Sequence, residues 1–229
     1  PCGQFITLER GSPQAYIIDR ASLDKSLKER AQRYGTDYLS SARVVSIAPE
    51  ADAVSVTVDH QGEQRIFTAR IAVLACGSGS QLPETLGLGK IANFAFGAQA
   101  EVNTINIDEV EVYFDQNLFP GFFGWLVPTI GDKGLAGLLV QKNSASYLEN
   151  FLHHLQSQGK IVSAEANMKF GLIPLRALPR PYGNRVVVVG DAAGQVKPTT
   201  GGGIYYGLLC ADIAANCLHQ AFLADDFSA

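Results

Sequence analysis

The chain has 229 residues, of which 47% are hydrophobic and 17% charged, so it is long enough for one large domain or two small ones. Its formal net charge of −4, without any stretch dense in Lys and Arg, argues against nucleic acid as a partner, because nucleic acid rewards concentrated positive charge. The four cysteines form no Cys-x-x-Cys pair, which indicates no metal site and fits a reducing cytoplasm. The apolar runs are too short to cross a bilayer, while a peripheral membrane contact stays open.

The first part of the chain predicts mixed α/β structure. Residues 14–35 begin extended and continue as a helix, because Leu23, Leu27 and Tyr34 recur at three-to-four spacing before Gly35. A short β run, "ARVVSIAPE", is followed by a hairpin that turns at "DHQG". The run "IAVLACG" is then continuously apolar, which is typical of a strand covered on both faces.

From about Ile91 the pattern changes to β-like runs separated by turns, which predicts a mostly antiparallel sheet. One amphipathic helix is expected in "NSASYLENFLHHLQSQG". The continuous apolar pattern of the first part then returns in "RVVVVGDAAG", which predicts another central strand of the first sheet. We therefore expect a first domain formed by residues 1–90 and 176–229, interrupted by a second domain over residues 91–175.

The stretch "VVVVGDAAGQVKPTTGGGIYYG", residues 186–207, predicts a ligand site. A valine-rich strand that ends in Gly-Asp places Asp191 at the carboxyl edge of a sheet, where ligands of open α/β sheets bind. The carboxylate can accept hydrogen bonds from sugar-like hydroxyls. The three glycines at 201–203 let a planar ligand approach the backbone at the start of a helix. The free N–H groups and the positive potential there suit developing negative charge.

This stretch resembles the second FAD-binding signature of the geranylgeranyl reductase-like flavoproteins, which are relatives of p-hydroxybenzoate hydroxylase and the flavin-dependent halogenases. The similarity extends to "YIIDRASLDKSLKERAQRYG", "LACGSGSQL" and "GWLVP". It implies FAD as cofactor and a glutathione-reductase-like FAD domain, interrupted by a substrate-binding antiparallel sheet. The sequence contains no Gly-x-Gly-x-x-Gly, and Cys76 stands where many members have Asp. The FAD domain is therefore expected to be incomplete, and the chain alone to be an inactive fragment that binds FAD weakly.

The resemblance also implies individual roles. Asp191 would bind hydroxyls on the ribityl or pyrophosphate side of FAD, and the backbone after Thr200 would meet the pyrimidine edge of the flavin. The main chain at Val44 would touch the adenine, and Arg20 would approach the cofactor from the other side. The complete set of implied cofactor contacts is Arg20, Val44, Gly190, Asp191, Ala192, Gly202, Gly203 and Ile204.

An apolar, aromatic cluster at "FFGWLVP" predicts the wall of a substrate site, with a hydrophobic core strand as the plainer alternative. The substrate contacts are expected at Phe123, Trp125, Pro128 and Tyr205. The resemblance implies reduction of isoprenoid double bonds by hydride from reduced flavin. The electron donor, NAD(P)H or a ferredoxin-like protein, and the catalytic acid are left unassigned. Two other functions stay open: an aromatic monooxygenase, and a non-catalytic module that binds lipids or isoprenoids.

Overall fold

The computed structural model describes residues 11–12 and 16–228, and the chain divides into two compact units, residues 1–40 and 41–229. The first unit contains helix α1 (Arg20–Arg33). Asp19 determines where this helix begins, because its carboxylate accepts a hydrogen bond from the backbone N–H of Ala21 at 3.0 Å. At the other end the chain leaves the helix at Gly35, which has a φ of +87°.

The described part of the second unit contains three sheets, three α-helices and one short 3-10 helix. An antiparallel sheet has the strand order β1 (Ala42–Pro49), β2 (Val54–His60), β3 (Glu63–Ala69). A mixed sheet contains β4 (Ala72–Leu74), β10 (Tyr182–Gly183) and β11 (Val186–Val188). The largest sheet is made of β5 (Phe94–Asn103), β6 (Glu111–Tyr113), β7 (Gly124–Pro128), β8 (Lys133–Val140) and β9 (Met168–Pro174). The helices are α2 (Leu82–Thr85), α3 (Ser144–Ser157) and α4 (Ile204–Ala224).

The five-stranded sheet is antiparallel throughout, in the order β6-β7-β8-β5-β9, and α3 covers one of its faces. Alternate residues of the central strands, such as Ala98 and Leu138, point toward α3 and are almost fully buried. The helix contributes Leu148, Phe151, Leu152 and Leu155 to the same core. The mixed α/β fold class and the antiparallel sheet with one helix are therefore confirmed. The predicted domain boundaries at residues 90 and 175 stay a prediction.

The mixed sheet has β11 in the middle, parallel to β4 and antiparallel to β10. The valine-rich strand thus pairs with the strand of "IAVLACG", as the sequence predicted. β4 differs from the expectation of a strand covered on both faces, because Val73 at its centre is 48% exposed while Leu74 beside it is 4% exposed. The strand is three residues long and pairs with β11 alone among the described strands.

A cluster of cations and aromatic rings fastens the carboxyl end of α4 to this sheet. The guanidinium of Arg70, in the turn before β4, lies 4.7 Å from the ring centres of both Phe222 and Phe227 and pairs with Asp225. The backbone N–H of Arg185, just before β11, donates to the carbonyl of Phe227 at 3.0 Å. Cation–π contacts of this kind each contribute about 0.5–1 kcal/mol at exposed sites.

Phe151 is the centre of the aromatic packing between α3 and the five-stranded sheet. Its ring contacts those of Phe119 and Tyr113 edge-on, with centroid distances of 4.9 and 5.1 Å. We expect Phe151→Ala to lower the free energy of unfolding by about 3–5 kcal/mol, because it leaves a cavity in this core. The exposed neighbour His153 supplies the control, since His153→Ala should change the free energy of unfolding by less than about 0.5 kcal/mol. Urea denaturation of the three proteins measures the difference, and equal losses would contradict the assigned core.

Glu111 links β6 to the segment after α3. Its carboxylate accepts a hydrogen bond from the ammonium of Lys160 at 2.6 Å and another from the hydroxyl of Tyr113. Burial by itself raises the pKa of Glu111, but the hydrogen bonds from Lys160 and Tyr113 outweigh it, and the pKa lies below its ordinary value. Burial and the hydrogen bond to Glu111 raise the pKa of Tyr113.

Because the pKa of Glu111 is depressed in the folded chain, its ionised form contributes stability above the unfolded pKa of about 4.3. That contribution is lost as the pH falls through the lower, folded pKa. We expect Glu111→Gln to destabilise the chain at pH 7 and to flatten the fall in stability between about pH 5 and pH 3. Glu149→Gln, at an exposed position of α3, is the matched control. Thermal melts across this pH range measure the effect, and parallel curves for wild type and Glu111→Gln would refute it.

Candidate functional site

Asp191 follows the carboxyl end of β11, the middle strand of the mixed sheet, at the position that the sequence predicted. After Val188 the chain turns into a 3-10 helix at Gly190–Ala193, and Gly190 takes a φ of +65° that favours glycine. The backbone N–H of Gly190 donates to Oε1 of Gln195 at 2.7 Å. This bond and the turn between Asp191 and Gly194, closed at 3.0 Å, hold the carboxylate at the edge of the sheet.

The carboxylate of Asp191 lies against the start of α4. A Cβ added at Gly203 would lie 3.0 Å from Oδ1 of Asp191, a tight contact that favours glycine at this position. The loop before α4 is closed by backbone hydrogen bonds from Lys197 to the carbonyl of Gly202, at 3.1 Å, and from Gly201 to the carbonyl of Lys197, at 2.9 Å. The first bond of α4 joins the N–H of Gly207 to the carbonyl of Gly203. The N–H groups of Ile204 to Tyr206 therefore precede the hydrogen-bonded ladder, at the positive end of the helix dipole.

Two cavities adjoin this region, and the loop at residues 79–81 lines both of them. One, of about 180 Å³, is lined by this loop together with Asp191 and Ala192. The other, of about 1070 Å³, is lined by this loop, by β4 and by the part of β1 that includes Val44. Of the predicted cofactor contacts, Asp191 and Ala192 line the smaller cavity and Val44 lines the larger one, while Gly190, Gly202, Gly203 and Ile204 line neither. The hydroxyl of Ser78 fixes this loop to β9 by donating to the carbonyl of Leu172 at 2.7 Å.

Sequence reasoning included "LACGSGSQL" in the family resemblance but named no site residue in the 79–81 loop. A further signal was the alternation of glycine and serine in "CGSGS", shortly after β4. Gly77 and Gly79 both take positive φ values there, +73° and +89°. Arg20 belongs to the first unit, where its guanidinium pairs with Asp24 at 3.3 Å, and its role toward a cofactor stays a prediction.

Trp125 lies on the face of the five-stranded sheet opposite α3. Its ring covers Gly137, where an added Cβ would lie 2.5 Å from Cε2 of the indole. Its Nε1 donates to Oε1 of Gln99 at 3.2 Å, and the ring of Phe123 is 5.9 Å away. Leu139 is on the same face, and its Cδ1 would lie 3.0 Å from a Cβ at Gly201. The face that carries Trp125 therefore reaches the glycine loop before α4.

The remaining predicted substrate contacts occupy separate positions. Pro128 is the last residue of β7, half-buried, and Tyr205 is exposed in the first turn of α4 beside Tyr206, at a centroid distance of 5.3 Å. The described residues include no group of three or more His, Cys, Asp and Glu side chains that could hold a metal ion. Among them only α4 is long and apolar enough to cross a membrane by length and composition, and one such helix is weak evidence for a span.

No family model matches the sequence. Digeranylgeranylglycerophospholipid reductase of Methanocaldococcus jannaschii is 28% identical over the whole chain, and digeranylgeranylglycerophospholipid reductase 2 of Methanopyrus kandleri is 30% identical over 93% of it. The similarity to geranylgeranyl reductase-like proteins is confirmed. The chain spans 61% of the length of the first relative and 58% of the second.

The fold agrees with these relatives. A geranylgeranyl bacteriochlorophyll reductase-like protein from Thermoplasma acidophilum superimposes with a TM-score of 0.83 at 21% identity, covering 96% of this chain and 58% of that one. The myxobacterial halogenase CndH, described as a variant of FAD-dependent halogenases, gives a TM-score of 0.73 at 17% identity, with coverage of 93% and 54%. At these identities the likeness shows a shared fold, and the fold is common to several reactions.

Proposed function

We propose that this chain is part of an FAD-dependent oxidoreductase that reduces carbon–carbon double bonds of an isoprenoid lipid. The observation that carries the proposal is the contact between the Asp191 carboxylate and the bare start of α4, next to a sheet face that carries Trp125. The similarity to lipid reductases along the whole chain supports the choice of substrate.

The residues on the two cavities fit the cofactor. Asp191 supplies an acceptor for ribityl hydroxyls, and glycine at 203 lets this carboxylate lie close to the backbone at the helix start. The N–H groups of the first turn of α4 stabilise negative charge on the ring edge, because they lie at the positive end of the helix dipole. The main chain at Val44 lines the larger cavity and would contact the adenine half of FAD.

Reduced FAD, when bound, supplies a hydride to the double bond. The chain's own residues orient the partners and exclude water. Phe123 and Trp125 form an apolar wall for the lipid, and Tyr205 is proposed to extend it. Pro128 is left out of this wall, because the alternation along β7 places it with Leu126 on the face that α3 covers. The electron donor is either NAD(P)H or a ferredoxin-like protein, and activity measured with each one decides between them.

An aromatic monooxygenase is the second candidate, because hydroxylases and halogenases share the fold. The two differ in their use of oxygen. A reductase converts a geranylgeranylated lipid to a product heavier by two hydrogens per double bond under anaerobic conditions. A monooxygenase consumes one O₂ for each hydroxylated product. Mass spectrometry of products formed with and without oxygen, using the complete flavin-loaded oxidoreductase that contains this chain and each electron donor, separates them. Hydroxylated product would overturn the proposal, and a protein that holds lipid without turnover would support a binding module instead.

Two substitutions test the cofactor site. In the complete oxidoreductase that contains this chain, Asp191→Ala removes the acceptor for the ribityl hydroxyls and should weaken FAD binding by about 10-fold or more, since hydrogen bonds to charged groups contribute about 1.5–3 kcal/mol. Gly203→Ala places a methyl group against the same carboxylate and should weaken FAD binding by a similar factor. Asp52→Ala, in an exposed turn, should leave FAD binding unchanged.

Quenching of flavin fluorescence measures the dissociation constants, and circular dichroism verifies that each variant is folded. Unchanged FAD affinity in folded Asp191→Ala would count against this placement of the cofactor.

A further inference from the structure

Most glycines of the five-stranded sheet are explained by a neighbouring side chain that fills the space of a Cβ. An added Cβ would lie 2.4 Å from Cε1 of Phe119 at Gly124, 2.6 Å from Cγ2 of Thr104 at Gly134 and 2.5 Å from Cε2 of Trp125 at Gly137. Real Cβ atoms do not approach other atoms so closely. At these three positions the fold itself therefore demands glycine.

Gly171 on β9 has no such explanation. A Cβ there would meet no heavy atom within 4 Å, and its φ lies outside the left-handed region. Gly97 lies directly across on β5, and a Cβ there would make only an ordinary contact of 3.4 Å with Cδ2 of Leu139. Glycine inside a strand weakens it, and often marks a place where a ligand approaches the backbone. Two facing glycines that the fold does not need thus point to something outside the sheet.

The two glycines form the floor of a notch on the face that carries Trp125. The cross-strand pair Gln99–Lys169 bounds it on one side, and Ile173 bounds it on the other. Leu139 closes the inner end, where Gly201 approaches both Leu139 and Ile173. The outer end is open, because β9 is the edge strand. Crossing two strands gives the floor a length of roughly 10 Å.

We propose that Gly97 and Gly171 form the floor of a subsite for one isoprenoid chain, and that Gly171 sets its width. The inference rests on the proposed function for the identity of the ligand. An elongated notch with Leu139 at its inner end and Ile173 along one side fits an apolar chain that runs from the glycine loop to the sheet edge. Methyl branches need room above the backbone, and the missing side chain at Gly171 provides it.

The proposal makes an unusual combination of expectations for Gly171→Leu. Since the new side chain meets no neighbour, the unfolding temperature should stay the same or rise, because leucine suits a strand better than glycine. The affinity for an isoprenoid should fall at least 10-fold, with Gly171→Ala between wild type and Gly171→Leu. Phe170→Leu is the matched control, because Phe170 is the adjacent exposed residue and lies on the other face of the strand. The Phe170→Leu protein should bind the isoprenoid as tightly as wild type.

The experiment uses geranylgeranyl diphosphate as the probe, with equilibrium dialysis for affinity and thermal melts for stability. Trp125 is the only tryptophan, so a shift of its emission reports binding on this face. Wild-type affinity in Gly171→Leu, a lowered melting temperature in that variant, or no binding by wild type would each overturn the subsite. The proposed function fails separately: a protein that binds the probe but reduces no double bond in the flavin-loaded state keeps the subsite and loses the reductase.

Discussion

The close approach of the Asp191 carboxylate to Gly203, directly before α4, is the constraint on which the site depends. It favours glycine at 203, and it needs the turn after β11 to present the carboxylate at the sheet edge. The same approach sets a negatively charged side chain beside the start of α4, which is the positive end of the helix dipole. A contact between few atoms thus fixes the positions of α4, β11 and the loop between them relative to one another.

The five-stranded sheet contributes to the site through the face that α3 leaves uncovered. One face is a dense apolar core in which Phe119 and Phe151 are fully buried. The other carries Trp125 over Gly137 and brings Leu139 beside the glycine loop. Because side chains alternate between the two faces along each strand, residues on one face stabilise the core and residues on the other are available to contact a ligand. A substitution on one face of a strand should affect folding, while its neighbour one residue away should affect binding.

The sequence predicted the parts of the fold that depend on local pattern. The valine run followed by Gly-Asp gave the correct strand and turn, and the alternating runs after Ile91 gave the antiparallel sheet. It did not predict that β4 is an edge strand, because the strand that pairs with it comes from a distant part of the chain. The difference between Gly137 and Gly171 was equally hidden, since both are simply glycines in strands and only cross-strand register shows what lies above each. The Glu111–Lys160 pair joins residues 49 positions apart, which no periodicity reveals.

The short strand β4 has a consequence for how this chain behaves in solution. Its outer edge offers backbone N–H and C=O groups to any extended segment, and no described strand competes for them. Helix α4 adds apolar side chains, since none of its residues is buried. Unpaired edges beside apolar surface recruit other chains, and a net charge of −4 opposes such recruitment only weakly. Concentrated samples of the 229 residues alone will therefore self-associate through this side of the molecule, and dilution or a capping peptide strand will disperse them.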